Sequence, residues 1–249
     1  MKDRFSDRAK AYALFRPTYP VELYEFMLKH TSGRQKAWDV GTGNGQVACR
    51  LAANFESVLA TDVSQTQLQE AAQAPNITYV LASASHCPAA DQTIDLITIG
   101  QALHWFPLAE FFDEVERVAR PGAVLAAWCY SLCSVSKEVD QLLQDFYQNT
   151  VGPFWDAERK WVDEHYQTMP FPNRWREIPA PALSMSFQWT LDQFAGYLST
   201  WSAVRNYLHA EKFDPVAPLI QKLAPIWQGT NAVHFPLFLR IFEINLKKI

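Results

Sequence analysis

An α/β fold built on a doubly wound, mostly parallel sheet is what this 249-residue sequence predicts, on three observations. Strand-like and helix-like periodicities alternate from residue 36 to 130, the pattern of a parallel sheet with helices on both faces. The first strand runs into a glycine-rich turn, Asp39-Val40-Gly41-Thr42-Gly43-Asn44-Gly45-Gln46. The second, Ser57-Val58-Leu59-Ala60-Thr61-Asp62, is apolar and ends in a carboxylate.

Taken in order, residues 1–20 combine Phe5, Tyr12, Phe15 and Tyr19 with Arg16, Pro17 and Pro20. So aromatic a leader is expected to pack rather than to trail as a disordered tail. Its prolines predict a short helix near Asp7–Leu14 followed by an extended segment. Leu23, Phe26, Met27 and His30 stand at helical spacing and predict a helix over 21–30. Strands are expected at 36–40, 58–62, 77–81, 94–99 and 123–129, and helices at 46–54, 65–73 and 108–120, with Pro121-Gly122 stopping the last helix. Beyond 130 the alternation breaks. Lys137–Asn149 reads as an amphipathic helix with Val139, Leu142, Leu143, Phe146 and Tyr147 on one face. Residues 150–182 show no clear period, Ala182–Trp189 alternates as a strand, Asp192 to His209 reads as helix, and Phe235–Lys247 as the last strand.

The turn carries the chemistry. Glycines at 41, 43 and 45 permit positive φ and close approach of a ligand, and the free N–H groups of a helix start suit a polar or negative ligand group. A dinucleotide fingerprint, G-x-G-x-x-G, would need glycine at 46, where the chain has Gln46, so a nicotinamide oxidoreductase is not expected. A carboxylate at Asp62 has the geometry to accept from ribose hydroxyls.

Composition narrows the remaining classes. The formal net charge is −4 and no basic run exceeds Lys247-Lys248, which argues against nucleic acid as a partner. Cys49, Cys87, Cys129 and Cys133 form no C-x-x-C pair and have no histidines at zinc spacing, so no metal site is expected, and buried reduced thiols are. The charged start Met1-Lys2-Asp3-Arg4 lacks a following apolar run, and no apolar stretch approaches the ~20 residues of a membrane helix. A cytoplasmic chain without a membrane partner, monomeric or homodimeric, is the expectation.

The acid–loop–acid combination of Asp39, the three glycines and Asp62 resembles motif I and its partner in class I S-adenosylmethionine (SAM) dependent methyltransferases. Two further stretches resemble the small-molecule branch (methyltransferase type 11) related to trans-aconitate methyltransferase. One is the leader F-x-x-R-A-x-x-Y-x-x-x-R-P-x-Y-P over residues 5–20; the other is A-x-H-W-F at Ala102–Phe106 after the fourth strand. Thr200-Trp201-Ser202 adds to the likeness. The resemblance implies a Rossmann-like, seven-stranded sheet closed by an antiparallel C-terminal hairpin, with a helical N-terminal lid and a helical insert. It implies a single domain over 1–249, with a leader to residue 32, a SAM-binding core over 33–130, and substrate-side helices and closing strands after that. SAM is the implied cofactor, and a small molecule the implied acceptor. Asp39, Gly41, Thr42, Gly43 and Gly45 would hold its methionine part, Asp62 and Val63 its ribose, and Ala84 and Ser85 its adenine edge, although Ser85 stands where the family often has an acid and can equally cap the next turn. Gln101 and Ala102 would border SAM, and His104 and Trp105 would face the methyl-transfer side.

Methyl transfer from a sulfonium is a single in-line displacement, so the protein's task is orientation and exclusion of water. A carboxylate acceptor is ionised at neutral pH and needs no base. It needs groups that fix it, and Arg16, Tyr19, His104, Trp201 and Arg205 are the candidates, with Tyr12 from the leader. The tyrosines can equally pack the leader onto the core, and the arginines can equally be surface charges. A phenol or amine acceptor would call for a base near neutrality, for which His104 is best placed, and an acidic pocket would mark an amine. Trp105, Phe106, Trp155 and Trp201 offer a flat apolar surface as another reading. A carboxyl O-methyltransferase is the first expectation; the alternatives are N- or phenol O-methylation, or a non-catalytic SAM-binding module.

Overall fold

A computed structural model of the chain describes residues 15–244, so Tyr12 and the expected helix near Asp7–Leu14 lie outside the described residues. One sheet is built from β1 (Lys36–Val40), β2 (Ser57–Asp62), β3 (Ile77–Leu81), β4 (Ile94–Gly100), β5 (Ala119–Tyr130), β6 (Arg176–Ile178), β7 (Leu183–Thr190) and β8 (Thr230–Ile244). The order is β3-β2-β1-β4-β5-β8-β6, with β7 also paired to β8. The first five strands are parallel, and β8 runs antiparallel to β5, β6 and β7. The expected seven strand positions are all present. An eighth strand arises because the outermost one is broken. Ile178 and Leu183 are five residues apart while their partners Ile241 and Leu237 are four apart, so one extra residue is accommodated around Pro179 and Pro181. Proline has no N–H to give a ladder, and an edge is where a sheet tolerates it.

Alternation sorts the strands' side chains onto two faces. In β1, Ala37 packs in one layer and Trp38 and Val40 in the other. Helices α1 (Val21–His30) and α2 (Gln46–Ala52) cover the first face through Leu23, Met27, Val47 and Leu51. After the short α3 (Gln65–Gln69), α4 (Leu108–Val118) covers the second through Phe111, Val115 and Val118, at i, i+4 and i+7. The insert comprises α5 (Lys137–Asp145), α6 (Arg159–Asp163), α7 (Leu191–Ser199), α8 (Ser202–Glu211) and α9 (Val216–Leu223). Among the described residues no helix is long and apolar enough to cross a membrane.

Several boundaries differ from expectation, the last strand, for one, beginning at Thr230 rather than Phe235. Helix α3 stops at Gln69 rather than 73, ahead of the restriction that Pro75 places on the residue before it. Helix α4 ends at Val118, and the chain is already paired at Ala119, before Pro121-Gly122. Between the pairs Ala119/Ile94 and Val124/Leu96, β5 has three residues more than β4, and Gly122 (φ +80°) turns that excess outward, so Pro-Gly marks a bulge, not a helix stop. The expected helix over 137–149 changes at Phe146 into one π turn, Phe146–Thr150. The expected helix from Asp192 to His209 is two helices, because the hydroxyls of Ser199 and Thr200 bond the carbonyls of Ala195 and Tyr197 and Trp201 turns extended.

Candidate active site

The order of the sheet reverses between β1 and β4, which lie side by side, and the loops leaving their carboxyl ends enclose the place where such sheets bind ligands. After β1 the chain turns through Gly41, Gly43 and Gly45 with φ of +67°, +57° and +79°. The N–H groups of Gly41 and Thr42 both donate to the Thr61 carbonyl, at 2.8 and 3.0 Å, which anchors the turn to the end of β2. A Cβ on Gly43 would meet only Gln67 Oε1, at 3.9 Å, so the space beside it is open. A Cβ on Gly45 would stand 2.1 Å from Tyr79 Oη, so the turn closes against β3 only because that side chain is absent.

Asp39 is 1% exposed at the base of this turn. It accepts from the hydroxyls of Thr42 (2.5 Å) and Thr98 (2.8 Å), and no described basic side chain pairs with it. Burial pushes its pKa up to about 6, against the hydrogen bonds from Thr42 and Thr98 that lower it. A buried carboxylate without a cation, lining a cavity of about 550 Å³ beside an open glycine turn, fits the ammonium end of SAM. The sign of the resulting pH dependence follows. Below about pH 6 Asp39 is protonated in the free protein, and pairing with an ammonium group then requires loss of that proton. SAM affinity is therefore expected to fall about tenfold per pH unit below this value. Calorimetric titrations at about pH 5 and about pH 7.5, in buffers of different ionisation enthalpy, should register one proton released at the lower pH.

Asp62 Oδ2 accepts from Gly43 N–H at 2.8 Å and Oδ1 from Ser64 N–H at 2.9 Å, so this carboxylate also braces the turn. Val63 follows it, half-buried. Ala84 is buried after β3, and Ser85 bonds Ser83 Oγ (3.1 Å) rather than capping a turn. Ala102 packs where a Cβ on Gly41 would come within 2.8 Å of its own. Gln101, expected beside SAM, has φ +56° and holds the Tyr130 backbone with both ends of its amide, donating to the carbonyl (3.3 Å) and accepting from the N–H (3.0 Å). It lines a second cavity instead.

That second cavity, of about 600 Å³, adjoins the first at Arg16 and Tyr130, which line both. Arg16 donates to the Tyr130 hydroxyl (2.7 Å) and to the Thr200 carbonyl (3.2 Å), so the leader is tied across both cavities to β5 and to the break between α7 and α8. Gln46 reaches Pro17 O at 3.4 Å from the other side. Tyr19 lines the first cavity and meets Trp128 edge-on, ring centroids 5.2 Å apart. His104, Trp105 and Trp201 line the second cavity as expected, together with Trp155; Arg205 and Phe106 do not, and Phe106 is core, beside Phe111.

Arg159, which pattern reading did not single out, is the cavity's second cation. It sits in the five-residue α6, too short for periodicity to reveal. Its Nε donates to the Tyr147 hydroxyl (2.9 Å) and to Asp163 (3.0 Å), and its guanidinium lies over the Trp155 ring at 4.6 Å. The Arg159–Asp163 spacing of four residues, just after Trp155, was the available signal. His104 is buried, with Nδ1 2.8 Å from the Tyr166 hydroxyl. Burial first, then the charges of Arg159 and Arg16, push its pKa down to about 3. It is neutral at physiological pH and too weak a base for the role considered for a phenol or amine acceptor.

A reversed sheet order, a glycine turn flanked by Asp39 and Asp62, and a second cavity alongside define a SAM-dependent methyltransferase. Relatives agree. The methyltransferase domain family matches residues 38–127. A Dictyostelium discoideum protein named as a methyltransferase is 32% identical, over 95% of this chain and 93% of its own. A Schizosaccharomyces pombe protein named as an uncharacterized methyltransferase is 29% identical, over 90% and 89%. The solved structure of a protein from Anaeromyxobacter dehalogenans, described as a type II methyltransferase, superposes with a TM-score of 0.84 at 37% identity, over 93% of this chain and 99% of that one. The chain belongs to the class I SAM-dependent methyltransferases, and SAM is its cofactor.

Proposed function

We propose that the acceptor is a small carboxylic acid, methylated on a carboxylate oxygen, as the resemblance to the trans-aconitate branch implies. One observation carries this reading: the second cavity is lined by Arg16 and Arg159 and, among the described residues, by no Asp or Glu. Trp155 lines the same cavity, and its buried indole N–H has no acceptor among the described residues. An amine acceptor would be repelled by these cations, and its deprotonation would find no base, since His104 stays neutral down to about pH 3.

Bound SAM supplies a methyl group already activated on a sulfonium. What the chain supplies is placement. Arg159, held in orientation by Tyr147, Asp163 and Trp155, gives a guanidinium fork that suits a carboxylate. Arg16 stands where the cavities meet. Neutral His104 orients an oxygen without protonating it, and Trp105, Trp155 and Trp201 wall the site against water. Orientation of this kind supplies roughly 7–11 kcal/mol of a displacement barrier. Matched pairs of small acids and their amides or amines, incubated with methyl-labelled SAM, test the reading. Label in the acids alone is the expected result; label in the amines alone would overturn it.

A further inference from the structure

We infer that Tyr166 is a positioning residue whose phenol O–H donates to Nδ1 of His104 and thereby holds the imidazole as its Nε2–H tautomer, a hydrogen-bond donor facing the acceptor cavity. The inference rests on the reading of that cavity as the acceptor site.

The 2.8 Å contact between Nδ1 and the phenol oxygen can run in either direction, and its surroundings decide which. Tyr166 is fully buried, and its hydroxyl has no other side-chain partner among the described residues. Among the described residues its one hydrogen-bond partner is that imidazole nitrogen. Were Nδ1 protonated, it would donate to the oxygen while the phenol proton stayed buried without an acceptor, an arrangement that folded proteins avoid. With Nδ1 bare, the phenol proton has its acceptor. The imidazole proton then sits on Nε2, which has no partner among the described residues, on a side chain that lines the cavity.

The backbone is shaped to hold this phenol. His165 and Tyr166 have φ of +55° and +58°, two successive left-handed residues that are not glycine. Such strain persists only where surroundings over-determine it. Here the His165 ring stacks on Phe238 with centroids 3.6 Å apart, and Arg240 donates to the Tyr166 carbonyl while its guanidinium lies over Phe171 and Phe242.

Long-range proton–nitrogen correlation spectra of nitrogen-labelled protein report which imidazole nitrogen carries the proton, and His104→Gln identifies its signals among the six histidines. The expected wild-type result is a single Nε2–H tautomer, lost or mixed in a Tyr166→Phe variant that still binds SAM. A wild-type Nδ1–H tautomer overturns the inference, and so does an unchanged His104 pattern in Tyr166→Phe. Should that variant fail to bind SAM, wild-type chain carrying fluorotyrosine decides. Its more acidic phenol shifts the His104 Nδ1 resonance if it donates there, and an unmoved resonance overturns the assignment. No acceptor enters these measurements, so a failed acceptor screen leaves their outcome readable.

Discussion

Gly45→Ala is expected to cost this protein most of its SAM affinity and a clear part of its stability. Two effects act together. Gly45 holds φ +79°, where an alanine loses roughly 1–2 kcal/mol. The new Cβ would also stand 2.1 Å from Tyr79 Oη and 3.0 Å from the ring carbon that bears it, an overlap of the kind that costs roughly 1–3 kcal/mol. Tyr79 is not free to leave, because its hydroxyl donates to the Ala72 carbonyl at 2.6 Å and Ala72 N–H in turn reaches the Asn44 carbonyl at 3.2 Å. The turn therefore shifts, and with it the Gly43 N–H bonded to Asp62. A fall in melting temperature of roughly 5–20 °C follows from a loss of about 2–5 kcal/mol in a chain of this size. SAM affinity should drop at least about tenfold. Pairing Gly45→Ala with Tyr79→Ala should recover the steric share and leave the conformational share. Unchanged melting and titration curves for Gly45→Ala would contradict the geometry of the turn.

Arg159→Met should separate the two cavities. Methionine keeps the apolar stem against Trp155 and removes the fork. Loss of charge-assisted hydrogen bonds to a carboxylate, about 2–3 kcal/mol, lowers kcat/KM for the acid about 30- to 150-fold. SAM affinity should stay within about twofold of wild type, because Arg159 does not line the SAM cavity. A variant that transfers methyl to the same acid at the wild-type rate would remove Arg159 from acceptor binding. One that loses SAM binding instead would show that α6 supports the fold rather than the site.

The half of the molecule that binds SAM was legible in the sequence for a physical reason. Its chemistry is local: the acid, the glycines and the first residue of the following helix lie within eight residues, Asp39 to Gln46, and each glycine's positive φ leaves a visible mark. Strand periodicity and the carboxylate ending β2 then fixed what the turn faces. The acceptor side was legible only in part. Arg16, His104, Trp105 and Trp201 were found through short stretches that resemble relatives, and they do converge on one cavity. Arg159 and Tyr166 were not: Arg159 sits in a helix of five residues, and Tyr166 meets His104 across 62 positions of chain. Neither α6 nor a left-handed Tyr166 writes a period or a turn residue into the sequence. Pro121-Gly122 misled in the opposite way, since the same dipeptide that ends helices also turns a strand bulge.

Carboxylate methylation is most directly tested by the chemical bond that holds the transferred methyl. Protein, methyl-labelled SAM and an acid taken from the matched screen would be incubated at neutral pH, and the purified product treated with mild base. A methyl ester returns its label as volatile methanol, and that release, much slowed with Arg159→Met, is the expected result. Label that survives the base on an amine or phenol oxygen would contradict the carboxylate reading while leaving the SAM-dependent methyltransferase itself intact.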